Sequence, residues 1–172
     1  VWSIRRLLLQ EMSGGVRLRA LGFSSDNAES AIFSPADGTV VSGQQYEGDA
    51  MDRIPRLAIE RPGQAFQHFP LGEAQRQIMN QYTASLAIHD ELRLLAVTAP
   101  RGNKVFIWDL DSTELRQAAH VPDCAGVAAV TEGFVVSSGQ GRCRLFDCRG
   151  ERIASTPLDL PAGLWDNHLR IV

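Results

Sequence analysis

"GNKVFIWDLDSTEL", residues 102–115, is an alternating apolar run that closes on Trp108-Asp109 and then drops into a polar turn. The alternation has the period of a half-buried strand, not of a helix. An aromatic-acid pair at the end of such a strand is either part of a site or punctuation that recurs in a repeated sheet. Its neighbours decide. "SLAIHDELRLLAVTAPRGNKVFIWDLDSTEL" (85–115) superposes on "GVAAVTEGFVVSSGQGRCRLFDCRGERI" (126–153). Each holds a short apolar strand, a tight polar turn, a second apolar strand, a Gly-containing loop and a third strand ending aromatic-Asp. Phe146-Asp147 thus matches Trp108-Asp109. A looser copy runs through "SAIFSPADGTVVSGQQ" (30–45) and "RLAIERPGQAF" (56–66), with Ile59-Glu60 in the same place. The copies close alike, on "HFP" (68–70), "HVP" (120–122) and "DLP" (159–161). A proline there suits a chain leaving a sheet edge.

Four short strands in a unit of about 40 residues is the pattern of a β-propeller blade. The sequence therefore predicts an all-β protein of WD-like blades, each of four antiparallel strands. Within a single domain over 1–172, the blades are expected at approximately 29–71, 82–122 and 125–161. Helical character is confined to one short turn in "GEAQRQIMNQ" (72–81). Two flanks remain: 2–23, read as a hairpin of "SIRRLLLQ" with "VRLRALGF", and the strand at 164–172, "LWDNHLRIV". They are expected either to meet as one shared blade, closing a small ring, or to belong to a larger propeller. In the second case the chain pairs with a missing N-terminal half or with itself, since open blade edges invite aggregation.

Composition narrows the function classes. At 172 residues, with 44% hydrophobic and 22% charged residues, the chain is long enough for one well-buried domain of ordinary globular make-up. The net charge of −3 argues against a nucleic-acid partner, which needs a clustered basic face. No apolar run approaches the roughly 18 residues of a membrane helix, and "RRLLLQ" (5–10) reads as a strand. Cys124, Cys143 and Cys148 are odd in number and fit no zinc spacing. Cys143 and Cys148 align with Val105 and Leu110, as core aliphatics would. Cys124, at an inner-strand entry, is expected toward the channel. There is no nucleophile elbow, phosphate loop, dinucleotide fingerprint or metalloprotease motif, and no cofactor is called for.

Two resemblances follow from these residues. "LLAVTAPRGNKVFIWDLDSTEL" (94–115) is similar to a WD-type repeat, although the Gly-His dipeptide of that family is missing and Glu114 stands where Gly is usual. More closely, "DGTVVSGQQYEGD" (37–49), "LAVTAPRGNKVFIWD" (95–109), "VPDCAGVA" (121–128) and "LWDNHLRIV" (164–172) resemble the C-terminal half of a bacterial family of uncharacterised propellers, domain-of-unknown-function family 1513. That resemblance implies a propeller with a twin-arginine export signal upstream and a periplasmic setting. It also implies an association with iron uptake, beside imelysin-type lipoproteins. The family has no established activity, so no catalytic residue is carried over.

In a four-stranded blade the loops between strands two and three share a face with the entries to the next inner strand. Here these are 43–55, 99–104 and 138–142, with 80–85, 122–127 and 164–169. That face gathers Gln44, Gln45, Tyr46, Glu47, Tyr82, Arg101, Asp123, Trp165, Asp166, Asn167 and His168, whereas the other carries plain turns. Function concentrates in loops held by a rigid scaffold, so a protein partner or small ligand is expected on the first face. Asp166 and His168 are the best metal or base-and-orienter candidates. As i and i+2 of a strand they also fit a purely structural pairing between blades. His68, His89 and His120 lack company and are read as structural. The leading expectation is a non-enzymatic binding or scaffold module of the cell envelope. The alternative is a propeller enzyme or metal binder, such as a lactonase-like hydrolase, in which Asp166 and His168 converge with Glu47 and Tyr82 at the channel mouth.

Overall fold

The computed structural model describes residues 5–7, 21–23, 28–46, 48–49, 52, 54–159 and 169. A short hairpin comes first: β1 (Arg5–Leu7) pairs antiparallel with β2 (Leu21–Phe23), Arg5 opposite Phe23. Three four-stranded antiparallel sheets follow, each laid down in simple chain order. The first holds β3 (Ala28–Phe33), β4 (Val40–Gln44), β5 (Leu57–Glu60) and β6 (Gln67–His68). The second holds β7 (Leu86–His89), β8 (Leu94–Ala99), β9 (Lys104–Asp109) and β10 (Leu115–His120). The third holds β11 (Cys124–Val130), β12 (Gly133–Ser138), β13 (Cys143–Asp147) and β14 (Ala154–Leu158). Helix α1 (Glu73–Met79), inside the stretch expected to turn, links the first sheet to the second, and a 3-10 turn (Pro100–Gly102) joins β8 to β9. Across sheets β3 lies against β7, and β7 against β11. The first strand of each sheet is thus the inner one, as in propeller blades.

The register explains the recurring aromatic-acid pair. Asp109 faces Leu94, the first residue of β8; Glu60 faces Val40, the first of β4; Asp147 faces Gly133, the first of β12. One position inward, Trp108 faces Leu95, Ile59 faces Val41 and Phe146 faces Phe134. The three pairs are therefore one structural position in three copies. The residue after the acid repeats as well: Leu110 N–H donates to the Arg93 carbonyl and Cys148 N–H to that of Glu132, both at 2.8 Å.

Side chains alternate across the strands, and in the middle sheet both faces are buried. From β8 and β9, Leu95, Val97, Phe106 and Trp108 join the cluster shared with Val41, Leu57, Ile59, Phe69 and Met79. Leu94, Ala96, Val105 and Ile107 turn the other way, into a cluster with Cys124, Val127, Phe134, Val136 and Phe146. Trp108 stacks on Phe106 at 5.2 Å and meets the edge of Phe69 at 5.4 Å, so it seals the first sheet to the second. The outer strands carry only exposed and half-buried residues, and Pro157 stands opposite Arg144 in β14, an edge strand, where proline is tolerated.

Candidate functional site

Start with the chain between β4 and β5. Tyr46 is half-buried; its N–H donates to the Gln81 carbonyl at 2.9 Å, and the Gln81 amide donates to the Gly48 carbonyl at 2.9 Å. Gln45 forms an antiparallel bridge with Tyr82, and Thr83 Oγ1 donates to the Gln44 carbonyl at 3.1 Å. The Tyr46 hydroxyl donates to Asp52, and this carboxylate holds the phenol above its ordinary pKa. The Arg56 guanidinium lies 5.4 Å from the Tyr46 ring centroid, and burial pulls its pKa down. Only 3% of Arg56 is exposed; its Nη1 donates to the Ile54 carbonyl at 2.8 Å while its Nε has no hydrogen-bond partner, so carbonyl and ring share its support.

The arc continues across the second and third sheets. Arg101, exposed on the 3-10 turn, stacks its guanidinium 5.2 Å from the Tyr82 centroid. Asn103 closes that turn and accepts the Asp123 N–H on its Oδ1 at 2.8 Å. The Asp123 carbonyl then accepts the Gly139 N–H at 2.9 Å. The described residues of loops 43–55, 99–104 and 138–142 and the entries at 80–85 and 122–127 therefore form one continuous face, carrying Gln45, Tyr46, Tyr82, Arg101 and Asp123. Gln44 belongs to the strand beneath and is 2% exposed. Glu47, Trp165, Asp166, Asn167 and His168 lie outside the described residues. Leu169, which follows them, is described. It sits so close over β11 that a Cβ on Gly126 would come within 2.7 Å of its own.

Left-handed backbone occurs on both faces. Asn80, Gln81, Asn103 and Asp123 have positive φ on the loop face, between 47° and 63°, and Arg93 and Thr113 have it in turns of the opposite face, at 51° and 61°. Asparagine and aspartate tolerate that region and glutamine does so poorly. Gly102 is required for a different reason: a Cβ there would overlap the Ile78 carbonyl oxygen at the end of α1.

The opposite face is more than the plain turns expected of it. Arg93, with φ 51°, reaches Asp37 of the first sheet at 2.7 Å and Asp111 of its own at 2.7 Å. Ser34 donates to Asp90, and Arg61 donates to the Leu110 carbonyl at 2.6 Å, so three contacts stitch the first two sheets together. None carries a local sequence signal, because each joins turns from different repeats. An open cavity of about 470 Å³ lies on this side, between His89–Glu91 and Ala129–Thr131. His89 is 7% exposed, and its Nδ1 accepts the Leu92 N–H at 3.2 Å.

The cysteines correct one expectation. Cys124 does not face a channel: it is fully buried, and its thiol donates to the Lys104 carbonyl at 3.2 Å. The N-terminal end of β11 turns it into the seam between sheets, where burial raises its pKa to about 12. Cys148 is buried in the same cluster and raised to about 11, and all three cysteines are free. Among the described residues no three His, Cys, Asp or Glu side chains gather as a metal site, and no helix is long and apolar enough to cross a membrane.

With the geometry in place, the relatives can be compared. A family model described as "Protein of unknown function (DUF1513)" matches residues 12–172. No curated protein matches. Among solved structures, apo AztD from Citrobacter koseri is similar at 11% identity and TM-score 0.61, over 94% of this chain and 44% of that one. The Dos1 propeller is similar at 16% identity and TM-score 0.60, over 78% and 36%. The RRP9 WD40 repeats are similar at 14% identity and TM-score 0.55, over 88% and 40%. Identities this low speak for the fold alone, and that fold is a β-propeller built from WD-like blades. The chain spans less than half the length of these propellers.

Proposed function

The chain belongs to the DUF1513 family, and from that premise we propose that it is a non-enzymatic binding or scaffold propeller of the bacterial cell envelope. It takes a protein partner on the face that joins Tyr46, Tyr82 and Arg101. One observation carries this reading. Three loop systems from three sheets are bonded into a continuous surface, with cationic side chains laid over aromatic rings at its middle. Tyrosine and arginine anchor protein interfaces because they offer large, stiff contact area with polar ends.

The family resemblance supports a periplasmic setting, after twin-arginine export, and an association with iron-uptake lipoproteins. It is the whole support for both. The test is capture from a native envelope fraction with three baits: the wild type, a Tyr82→Ala/Arg101→Ala variant, and a Glu132→Ala control on the opposite face. The proposal expects one specific partner with wild type and control, and its loss with the double variant. Recovery of no specific partner, or equal capture by all three baits, overturns it. Identification of the captured protein decides the iron-uptake association, and fractionation of the native host decides the compartment.

A further inference from the structure

We propose that Arg101, laid on the Tyr82 ring beside exposed Ile78, is the anchor for a side-chain carboxylate of an acidic peptide segment carried by the partner. This deepens the binding reading above and rests on it. A guanidinium stacked on an aromatic ring has one face covered, while its N–H edges point outward in the plane, in the geometry that receives a carboxylate on two bonds. The Arg101 guanidinium lies over the Tyr82 ring, 5.2 Å from its centroid, and among the described residues no carboxylate pairs with it. The contrast with Arg93 is instructive. That residue, on the opposite face, already holds Asp37 and Asp111, so its bonding capacity is spent within the molecule.

The anchor is set in advance of binding. Asn103 N–H closes the 3-10 turn onto the Pro100 carbonyl at 3.0 Å, and the absent Cβ of Gly102 lets that turn press against α1. Tyr82 is fixed from two sides, by its bridge to Gln45 and by its N–H on the Met79 carbonyl at 3.2 Å. Little ordering entropy is then lost when a ligand arrives. The apolar neighbour is on α1: Ile78 is one of two large hydrophobics left exposed among the described residues, at 37%, and its side chain lies alongside Gly102. Cation, ring and aliphatic surface together match a peptide in which an acidic residue stands next to an apolar one.

The charges around the anchor favour a carboxylate over a phosphate. Asp49, Asp52 and Asp123 are all exposed on the same face. These carboxylates repel a dianionic phosphate more strongly than a singly charged carboxylate, so the surrounding charge disfavours the phosphate of the two.

The test uses fluorescein-labelled short peptides of alternating glutamate and leucine, with glutamine and phosphoserine replacing glutamate in two analogues. Fluorescence polarisation should show saturable binding of the glutamate peptide and weakening of roughly tenfold or more with Arg101→Ala. Arg101→Lys, which keeps the charge but not the fork, should fall between. Arg152→Ala removes the same charge from an exposed position of the turn between β13 and β14, on the opposite face, and should leave binding unchanged. Circular dichroism melts confirm that the variants fold. Equal binding of the glutamine peptide, equal loss with Arg152→Ala, or preference for the phosphoserine peptide would each overturn the proposal. If the glutamate peptide fails while the capture experiment succeeds, the anchor is wrong and the binding reading stands. Failure of both removes both.

Discussion

Trp108 and Asp109 stand side by side in one strand and do different physical work. Trp108 is 1% exposed, wedged between Phe106 and Phe69, and belongs wholly to packing. Trp108→Ala should cost about 3–5 kcal/mol, since the neighbouring sheets cannot close over a void of that size. A urea melt would read it as a fall in midpoint at constant slope, and a loss under about 1 kcal/mol would mean the seam closes by other contacts. Asp109 points into its turn: its Oδ1 accepts the N–H of Ser112 at 2.8 Å, the N–H of Asp111 at 3.1 Å and the Ser112 hydroxyl at 3.0 Å. Those donors, the Ser112 N–H foremost, hold its carboxyl below the usual 3.8. The unfolded carboxyl binds its proton first as pH falls. Its contribution is therefore complete above the ordinary carboxylate range and is lost as pH drops through the lowered folded value. Asp109→Asn should flatten the acid limb of a stability-pH curve below about pH 4, leave the neutral limb parallel to wild type, and be measurable by thermal melts at stepped pH.

At the scale of elements, the middle sheet is legible in the sequence because its signal is local. Every second residue of 94–97 and 105–108 goes to a different cluster, and alternation over four to six residues suffices to show it. The recurrence of an aromatic-acid pair marks the end of β9 and β13 for the same reason. The loop face follows from strand order, once the blades are recognised. What could not be read is whatever joins one blade to another through side chains. Arg93 finds Asp37 across 56 residues and Asp111 across 18, and no periodicity encodes such separations. The Tyr46–Arg56 and Tyr82–Arg101 stacks are hidden likewise, as is the burial of Cys124. Arg93 is held as a cation by two carboxylates, Asp111 first. The bridge is partly solvated, so its worth is modest. In a double-mutant cycle, Arg93→Met and Asp37→Asn should couple by about 0.5–1 kcal/mol at low salt and by less than half of that near 1 M salt. A coupling indifferent to salt would mean that Arg93 acts through packing of its stem.

Over the whole molecule, the second seam differs chemically from the first. Where the first two sheets are sealed by Trp108, Phe69 and Phe106, the second and third meet over two thiols, Cys124 and Cys148, among Val127, Val136, Phe134 and Phe146. A thiol packs as a small hydrophobe while neutral. Burial, the leading cause in both, raises Cys124 to about 12 and Cys148 to about 11, against 9.0 when solvated. A folded pKa raised above the unfolded one means the native state keeps its proton longer. This contribution is complete below pH 9 and declines as pH rises through 9 toward 11 and 12, because the unfolded chain releases protons that the fold retains. The protein should therefore lose stability steeply between those values, beyond what its other groups explain, and Cys124→Val should remove much of the slope by supplying a side chain that cannot ionise. The same burial predicts slow labelling: a neutral-pH thiol reagent should react with Cys124 only at the rate of opening, and denaturant should accelerate it in step with unfolding. Immediate labelling in the native state would show that the seam between the second and third sheets opens freely, and would place the weak point of the assembly there, at the strand that receives Leu169.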